Sequence, residues 1–118
     1  MSSAGEMLAW INYWKPKDAW YYLPRNRRAA LLEQWEAIRM SAVAEGARQL
    51  GTYECRANTA WARVSLWQFP DLDVLMSMVE KLEDAGYFQY FAENNAFGLP
   101  TDEPYQNYLL AADATVGT

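Results

Sequence analysis

The sequence predicts an α+β domain in which one antiparallel sheet is built in the order strand, helix, strand, strand, helix, strand. Three observations carry that expectation. Two tryptophan-bearing segments alternate as strands do, two others repeat apolar residues at helical spacing, and Gly or Pro punctuates most of the junctions. With 118 residues the chain has the length of one domain, so 1–118 is read as a single unit with loose ends at about 1–5 and 113–118.

Glu6 to Trp14 is rich in β-formers and free of Gly and Pro until the Lys15-Pro16-Lys17-Asp18 turn signal, which predicts a first strand. After a loop bearing Trp20, Tyr21 and Tyr22, Leu31, Leu32, Trp35, Ile38, Ala42 and Val43 recur at helical spacing. A helix from about Pro24 to Glu45 follows, with Gly46 as its stop. Arg48–Arg56 and Ala60–Phe69 flank Ala57-Asn58-Thr59 and read as a hairpin. Asp71, after Pro70, caps a second helix whose expected buried stripe is Leu72, Leu75, Met76, Val79 and Leu82, ending at Gly86. Tyr87–Phe91 reads as a further helical turn, Ala92–Gly98 as a fourth strand, and Leu99–Pro104 as a loop. Tyr105–Leu110 reads as a short closing strand or an arm exchanged with a second subunit. This is the split β-α-β order of a ferredoxin-like sheet, expected to carry both helices on one face.

Composition excludes several classes of function. Ten Lys and Arg against fifteen Asp and Glu leave a net charge of −5, which argues against a protein that neutralises nucleic-acid phosphates. The run Arg25, Arg27, Arg28 is the one basic cluster and reads as solvated residues in the first turns of a helix. Cys55 is the sole cysteine, so no intrachain disulfide can form and a reducing cytoplasm is the expected location. His is absent, which with one Cys removes the common ligands of zinc, copper, non-haem iron and haem. No metal or cofactor is expected. Neither a signal peptide nor a run of apolar residues long enough to span a bilayer is evident, so no membrane partner is expected.

Alternation then sorts the side chains. Leu8, Trp10, Asn12 and Trp14 share one face of the first strand, and Trp61, Arg63, Ser65 and Trp67 share one face of the third. In a split β-α-β sheet these strands are central neighbours, so their tryptophan faces adjoin. Ala62, Val64 and Leu66 are expected beneath the helices, which leaves the tryptophan face to be covered by the sheet of a second subunit in a homodimer. Phe91, Glu93, Asn95 and Phe97 would join that face if Ala92 and Ala96 pack under the helices. For the second strand, either Tyr53 and Cys55 or Thr52 and Glu54 could point inward.

Flat aromatic walls interrupted by a few polar groups have the composition of a small-molecule site. Trp10, Trp14, Trp61, Ser65, Trp67, Asn95 and Phe97 are the candidate binding residues. Arg63, Glu93, Asn12 and Tyr53 are the candidate catalytic ones. Arg63 would hold a carboxylate, phenolate or enolate oxygen. Glu93, desolvated by aromatic neighbours, would act as general base, or would simply pair with Arg63. Tyr53 would donate a proton. Asn12 and Asn95 read equally as structural hydrogen-bond partners, and Cys55, lacking a His, as a small buried hydrophobe.

The element order and two-faced strands resemble the dimeric α/β-barrel superfamily, whose small ferredoxin-like subunits pair through their sheets. Trp20-Tyr21-Tyr22-Leu23-Pro24, Leu66-Trp67-Gln68-Phe69-Pro70-Asp71 and Tyr87-Phe88-Gln89-Tyr90-Phe91 are similar to runs in small proteins of the darcynin kind, which implies a fold and no activity. Antibiotic biosynthesis monooxygenases of the superfamily oxidise polycyclic aromatic substrates without a cofactor and use Asn, Trp, Tyr and Arg in their pockets. That resemblance implies roles for Asn12, Trp67, Tyr53 and Arg63. Haem-degrading relatives use a His ligand, from which this chain departs. The expected function is therefore a cofactor-free monooxygenase, cyclase or isomerase acting on an aromatic or polyketide-like metabolite. A small-molecule carrier and a purely structural dimer are the alternatives.

Overall fold

A computed structural model describes residues 7–102 together with 107, 109 and 110. The elements run β1 (Leu8–Pro16), α1 (Asp18–Tyr21), α2 (Arg25–Ala44), β2 (Arg48–Glu54), β3 (Arg63–Phe69), α3 (Leu72–Asp84), α4 (Tyr87–Tyr90) and β4 (Phe91–Gly98). The four strands form one antiparallel sheet in the order β2-β3-β1-β4. This is the ferredoxin-like α+β architecture that the element order predicts.

Local chemistry places most boundaries. The Asp71 carboxylate accepts the Val74 N–H at 2.9 Å and starts α3, satisfying a donor that the first turn leaves free. Gly46 ends α2 at φ 109, where a Cβ would also stand 3.3 Å from Pro70 Cγ, and Gly86 follows α3 at φ 83. Both positions favour a residue without a Cβ. Strand β1 continues through Lys15 and Pro16 rather than stopping at Trp14; a proline missing its N–H is tolerated at the last rung, opposite Phe91. The β2–β3 connection is longer than the expected three-residue turn. It occupies residues 55–62, and Trp61 falls in it rather than in a strand. Tyr105–Leu110 lies partly outside the described residues, but Asn107, Leu109 and Leu110 are helical, which does not fit a closing strand.

The helices pack on the sheet face opposite to the one expected. Trp10, Trp67 and Phe69 from the sheet are buried in one cluster with Leu31 and Trp35 of α2, Leu75, Met78 and Leu82 of α3, and Tyr87 of α4. Trp35 and Phe69 are completely buried. The tryptophan face is thus the interior of the protomer. Val64 and Leu66 are half-buried on the far face, where Ile11 is exposed. The aromatic bulk explains the choice: Trp20, Trp35, Tyr87 and Phe91 make ring contacts with one another at 5.0–5.7 Å, and Trp10 and Trp67 bury against that layer. In α3, Met78 replaces Met76 in the buried stripe, while Leu72 and Met76 are exposed. Trp20 belongs to α1 and anchors it to the body.

Candidate functional site

The register fixes which side chains share the inner face. Asn12 lies between Ser65 and Asn95, Trp10 between Trp67 and Phe97, and Trp14 between Arg63 and Glu93. Directly opposed residues of antiparallel strands point the same way, so the face groups Trp10, Asn12, Trp14, Arg63, Ser65, Trp67, Glu93, Asn95 and Phe97 as alternation predicts. On β2 the irregularity between Gln49 and Gly51 restores Thr52 opposite Ser65 and places Tyr53 opposite Val64. Thr52 and Glu54 therefore face inward. Tyr53 sits on the far face, 55% exposed, away from the other candidates.

A cavity of about 180 Å³ lies between this face and the helices, inside a single protomer. Trp10, Asn12, Trp14, Ser65, Trp67 and Glu93 line it from the sheet. Trp35, Glu36 and Arg39 line it from α2, and Tyr87 from α4. The expected pocket between two subunits is therefore replaced by one between sheet and helices.

Polar groups in the cavity are tied into two short chains. Trp14 Nε1 donates to Ser65 Oγ at 3.0 Å, and Ser65 shares a 3.0 Å hydrogen bond with Thr52 Oγ1. Asn12 Nδ2 donates to Asn95 Oδ1 at 2.6 Å, and Asn95 Nδ2 reaches Glu93 Oε1 at 3.4 Å. Asn12 and Ser65 are buried, and each has a hydrogen-bond partner, as buried polar groups normally do. At the far end Tyr87 meets both Glu93 and Arg39. Burial first, then the negative charge and hydrogen bond of Glu93, push its phenol well above the ordinary value of 10.0, with Arg39 acting in the opposite direction. The Arg39 guanidinium also lies 5.3 Å from the centre of the Tyr87 ring.

Five expected site residues stand outside the cavity lining; Asn95 is exposed and touches the site only through its hydrogen bond with Asn12. Arg63 shares the inner face but not the cavity; its guanidinium faces Glu54 at 3.7 Å and bonds the Ala62 carbonyl at 3.2 Å. It makes no ion pair with Glu93, because Trp14 occupies the strand between them, two strand spacings or roughly 9.6 Å across. Trp61 stands outside the sheet with the Lys15 ammonium 5.3 Å from its ring centre. Phe97 is 55% exposed beyond the cavity, and Tyr53 points away. Arg39 and Tyr87 are the functional candidates that strand alternation could not reveal, since both come from helices. Their one sequence signal is a lone cation within an otherwise apolar helical stripe and a Tyr immediately after a helix-ending Gly.

Sheet, helices and inner cavity together define a ferredoxin-like α+β protein. The chain belongs to the family of unknown function DUF6616, whose sequence model matches residues 7–109. No curated protein matches it in sequence. Among solved structures it is similar to the chlorite dismutase from Candidatus Nitrospira defluvii in complex with imidazole, with a TM-score of 0.70 and 15% identity over 93% of this chain and 46% of that one. It is also similar to a heme-binding protein from Thermus thermophilus, with a TM-score of 0.62 and 16% identity over 84% of this chain and 43% of that one. A putative chlorite dismutase aligns with a TM-score of 0.66 and 18% identity, over 84% of this chain and 46% of the other. The chain thus spans less than half the length of these structures. At such identities they define the fold alone.

Proposed function

We propose that the inner cavity binds a planar, single-ring organic molecule and acts on it by proton transfer. Glu93 takes the proton, and Arg39 holds the oxygen on which negative charge develops. The observation that carries this reading is the convergence of Glu93, Tyr87 and Arg39 on one wall of an aromatic cavity. A guanidinium aimed at an enolate or phenolate oxygen inside a water-poor site stabilises charge there far more than in water. Tyr87, held neutral by burial, is suited to donate a hydrogen bond to the same oxygen. A resulting carbanion reacts with oxygen in a monooxygenase, or closes or migrates a bond in a cyclase or isomerase.

The cavity size supports one ring rather than several. Its volume of about 180 Å³ is close to the roughly 150 Å³ that accepts benzene in an engineered apolar cavity. It falls below the roughly 300 Å³ where pockets for drug-sized ligands begin. The polycyclic substrates of the monooxygenase resemblance exceed it.

The same residues do not fit a haem. Haem iron takes an axial His, Cys, Met or Tyr. The sequence has no His, and neither Cys nor Met lines the cavity. Tyr87 is pushed toward the neutral phenol by burial and Glu93, the reverse of what phenolate ligation requires. Among the described residues there is also no cluster of three or more His, Cys, Asp or Glu.

A carrier reading is favoured by one observation: Glu93 already has Tyr87 and Asn95 as partners. Screening single-ring phenols and β-dicarbonyls by thermal shift and following their turnover separates the two. The enzyme reading expects turnover lost in Glu93→Gln and Arg39→Met and unchanged in Arg63→Met. Binding without conversion in the unaltered protein establishes the carrier. Binding that survives Arg39→Met while Arg63→Met abolishes it overturns the cavity assignment.

The far face of the sheet supports pairing with a second copy of this chain. Ile11, Tyr13, Val64, Leu66 and Tyr53 make it apolar, and α2, α3 and α4 pack on the other face. In this homodimer reading the face expected inside the protomer is the one that pairs.

A further inference from the structure

We infer that a polar rung of the sheet, at Asn12 and Ser65, selects a ring that carries a neutral hydroxyl in addition to the oxygen on which the chemistry occurs. The inference rests on the proposed binding of a single-ring molecule in the inner cavity and names the group by which that ring is chosen. Thr52 is opposite Ser65, Ser65 opposite Asn12, and Asn12 opposite Asn95, so four polar residues stand in line across β2, β3, β1 and β4. Trp10 and Trp67 make the inner-face rung on one side of them, and Trp14 belongs to the rung on the other. Thr52, Ser65 and Asn12 line the cavity, and Asn12 and Ser65 are each only 5% exposed. Positions beneath helices ordinarily carry apolar side chains, because desolvating an amide or a hydroxyl is costly.

The donors and acceptors of the rung define what it offers. An ionised Glu93 only accepts, so Asn95 turns its Nδ2 to Glu93 Oε1 and its Oδ1 to Asn12. Asn12 therefore gives its Nδ2 to Asn95, at 2.6 Å, and turns its own Oδ1 away. No described residue donates to that oxygen. It is not sealed in the packing either; Arg28 Nε is the one described side-chain atom both sealed and unpartnered. Asn12 Oδ1 is thus a free acceptor open to the cavity that Asn12 lines. On the other side, the Trp14 indole N–H only donates, so Ser65 Oγ accepts it. Ser65 and Thr52 hold two hydroxyl hydrogens, and the 3.0 Å bond between them uses one. Thr52 is exposed and is free to turn its hydrogen to Ser65, which releases the Ser65 O–H into the cavity.

An acceptor and a donor then stand on directly opposed residues, whose Cα atoms are about 4.5–5.5 Å apart. One oxygen at about 2.8 Å from each, in roughly tetrahedral geometry, bridges about 4.6 Å. A neutral hydroxyl fits, because it donates to Asn12 and accepts from Ser65. A carboxylate, phenolate or ketone oxygen only accepts, and Asn12 Oδ1 repels it. Arg39 holds the oxygen that becomes anionic in the proposed reaction, so the hydroxyl at Asn12 is a second one. The ligand class is a dihydroxybenzene or the corresponding hydroxylated ring enol.

The experiment is isothermal titration of the full chain with catechol, resorcinol and hydroquinone, and with the fluorophenols in which fluorine replaces one hydroxyl of each. Fluorine nearly keeps the size and cannot donate. At least one diol is expected to bind about tenfold or more tightly than its fluorophenol. That preference should vanish in Asn12→Leu and in Ser65→Ala, and persist in Thr52→Val. The readout is a ratio of two affinities within one variant, so a packing defect that weakens both ligands alike leaves it unchanged. Thermal unfolding checks that each variant folds; should Asn12→Leu fail to, the comparison of diol with fluorophenol in the unaltered chain still decides. Equal binding of diols and fluorophenols there, or a preference that survives Asn12→Leu, overturns the hydroxyl assignment and leaves the cavity reading standing. Binding of none of the six molecules overturns both.

Discussion

The Tyr87 ring lies flat against that of Phe91, with centroids 5.1 Å apart and 5° between their planes. Only Phe88, Gln89 and Tyr90 separate them in sequence, and the stack closes the α4–β4 junction. It also sets the Tyr87 phenol beside Glu93, two residues further along β4.

That placement makes stability sensitive to alkali. The folded phenol holds its proton above the ordinary value of 10.0, through burial first and Glu93 second. The folded state therefore binds this proton more tightly than the unfolded chain. The contribution is fully present below about pH 10 and is lost as pH rises further, because the unfolded phenol ionises first. Denaturant midpoints measured across that range should fall with pH in the unaltered protein and fall less steeply in Tyr87→Phe. Equal slopes would contradict the placement of the phenol.

Trp35 is completely buried, touches the rings of Trp20, Tyr87 and Phe91, and donates Nε1–H to the Ala85 carbonyl at 3.1 Å. Trp35→Ala should cost about 3–5 kcal/mol, measured by urea unfolding. Trp35→Phe keeps much of the packing but orphans the carbonyl, so its cost should be smaller and still measurable.

The cap of α3 offers a milder test. Removing the Asp71 carboxylate from the Val74 N–H in Asp71→Ala should cost about 1 kcal/mol. Asp71→Ser should recover most of it. A loss above about 3 kcal/mol would mean that Asp71 does more than cap.

Self-association should follow the far face. The unaltered chain should sediment as a dimer at micromolar concentration, and Ile11→Lys with Leu66→Lys should sediment as a monomer with unchanged helix content. The two substituted residues are neighbours across β1 and β3, so the introduced charges face the pairing copy together. A stable monomer before substitution would rule the pairing out.

How much was legible in the sequence differs between fold and site. Helices and strands were legible because helical spacing, Asp71, Gly46 and Gly86 act over a few residues. The grouping of Trp10, Asn12 and Trp14 with Ser65, Trp67, Glu93 and Asn95 was legible too, because alternation is imposed by the strand backbone itself. Thr52 against Tyr53 was not, since a register irregularity reverses the alternation of β2.

Which face the helices cover is a different kind of question. Ala9, Ile11, Tyr13, Val64 and Leu66 are as compatible with burial as the tryptophan set, so hydrophobicity alone does not choose between them. The amino-acid sequence by itself determined the elements, their order and the membership of each sheet face, because those depend on short-range backbone geometry. Tertiary packing decided that the tryptophan face lies under α2, α3 and α4, which moved the pocket from between subunits to within one. It also brought Arg39 of α2 to Tyr87 beside Glu93 and set Trp14 between Arg63 and Glu93; Arg39 with Tyr87 and Trp14 with Arg63 lie far apart in sequence, so these contacts have no local signature.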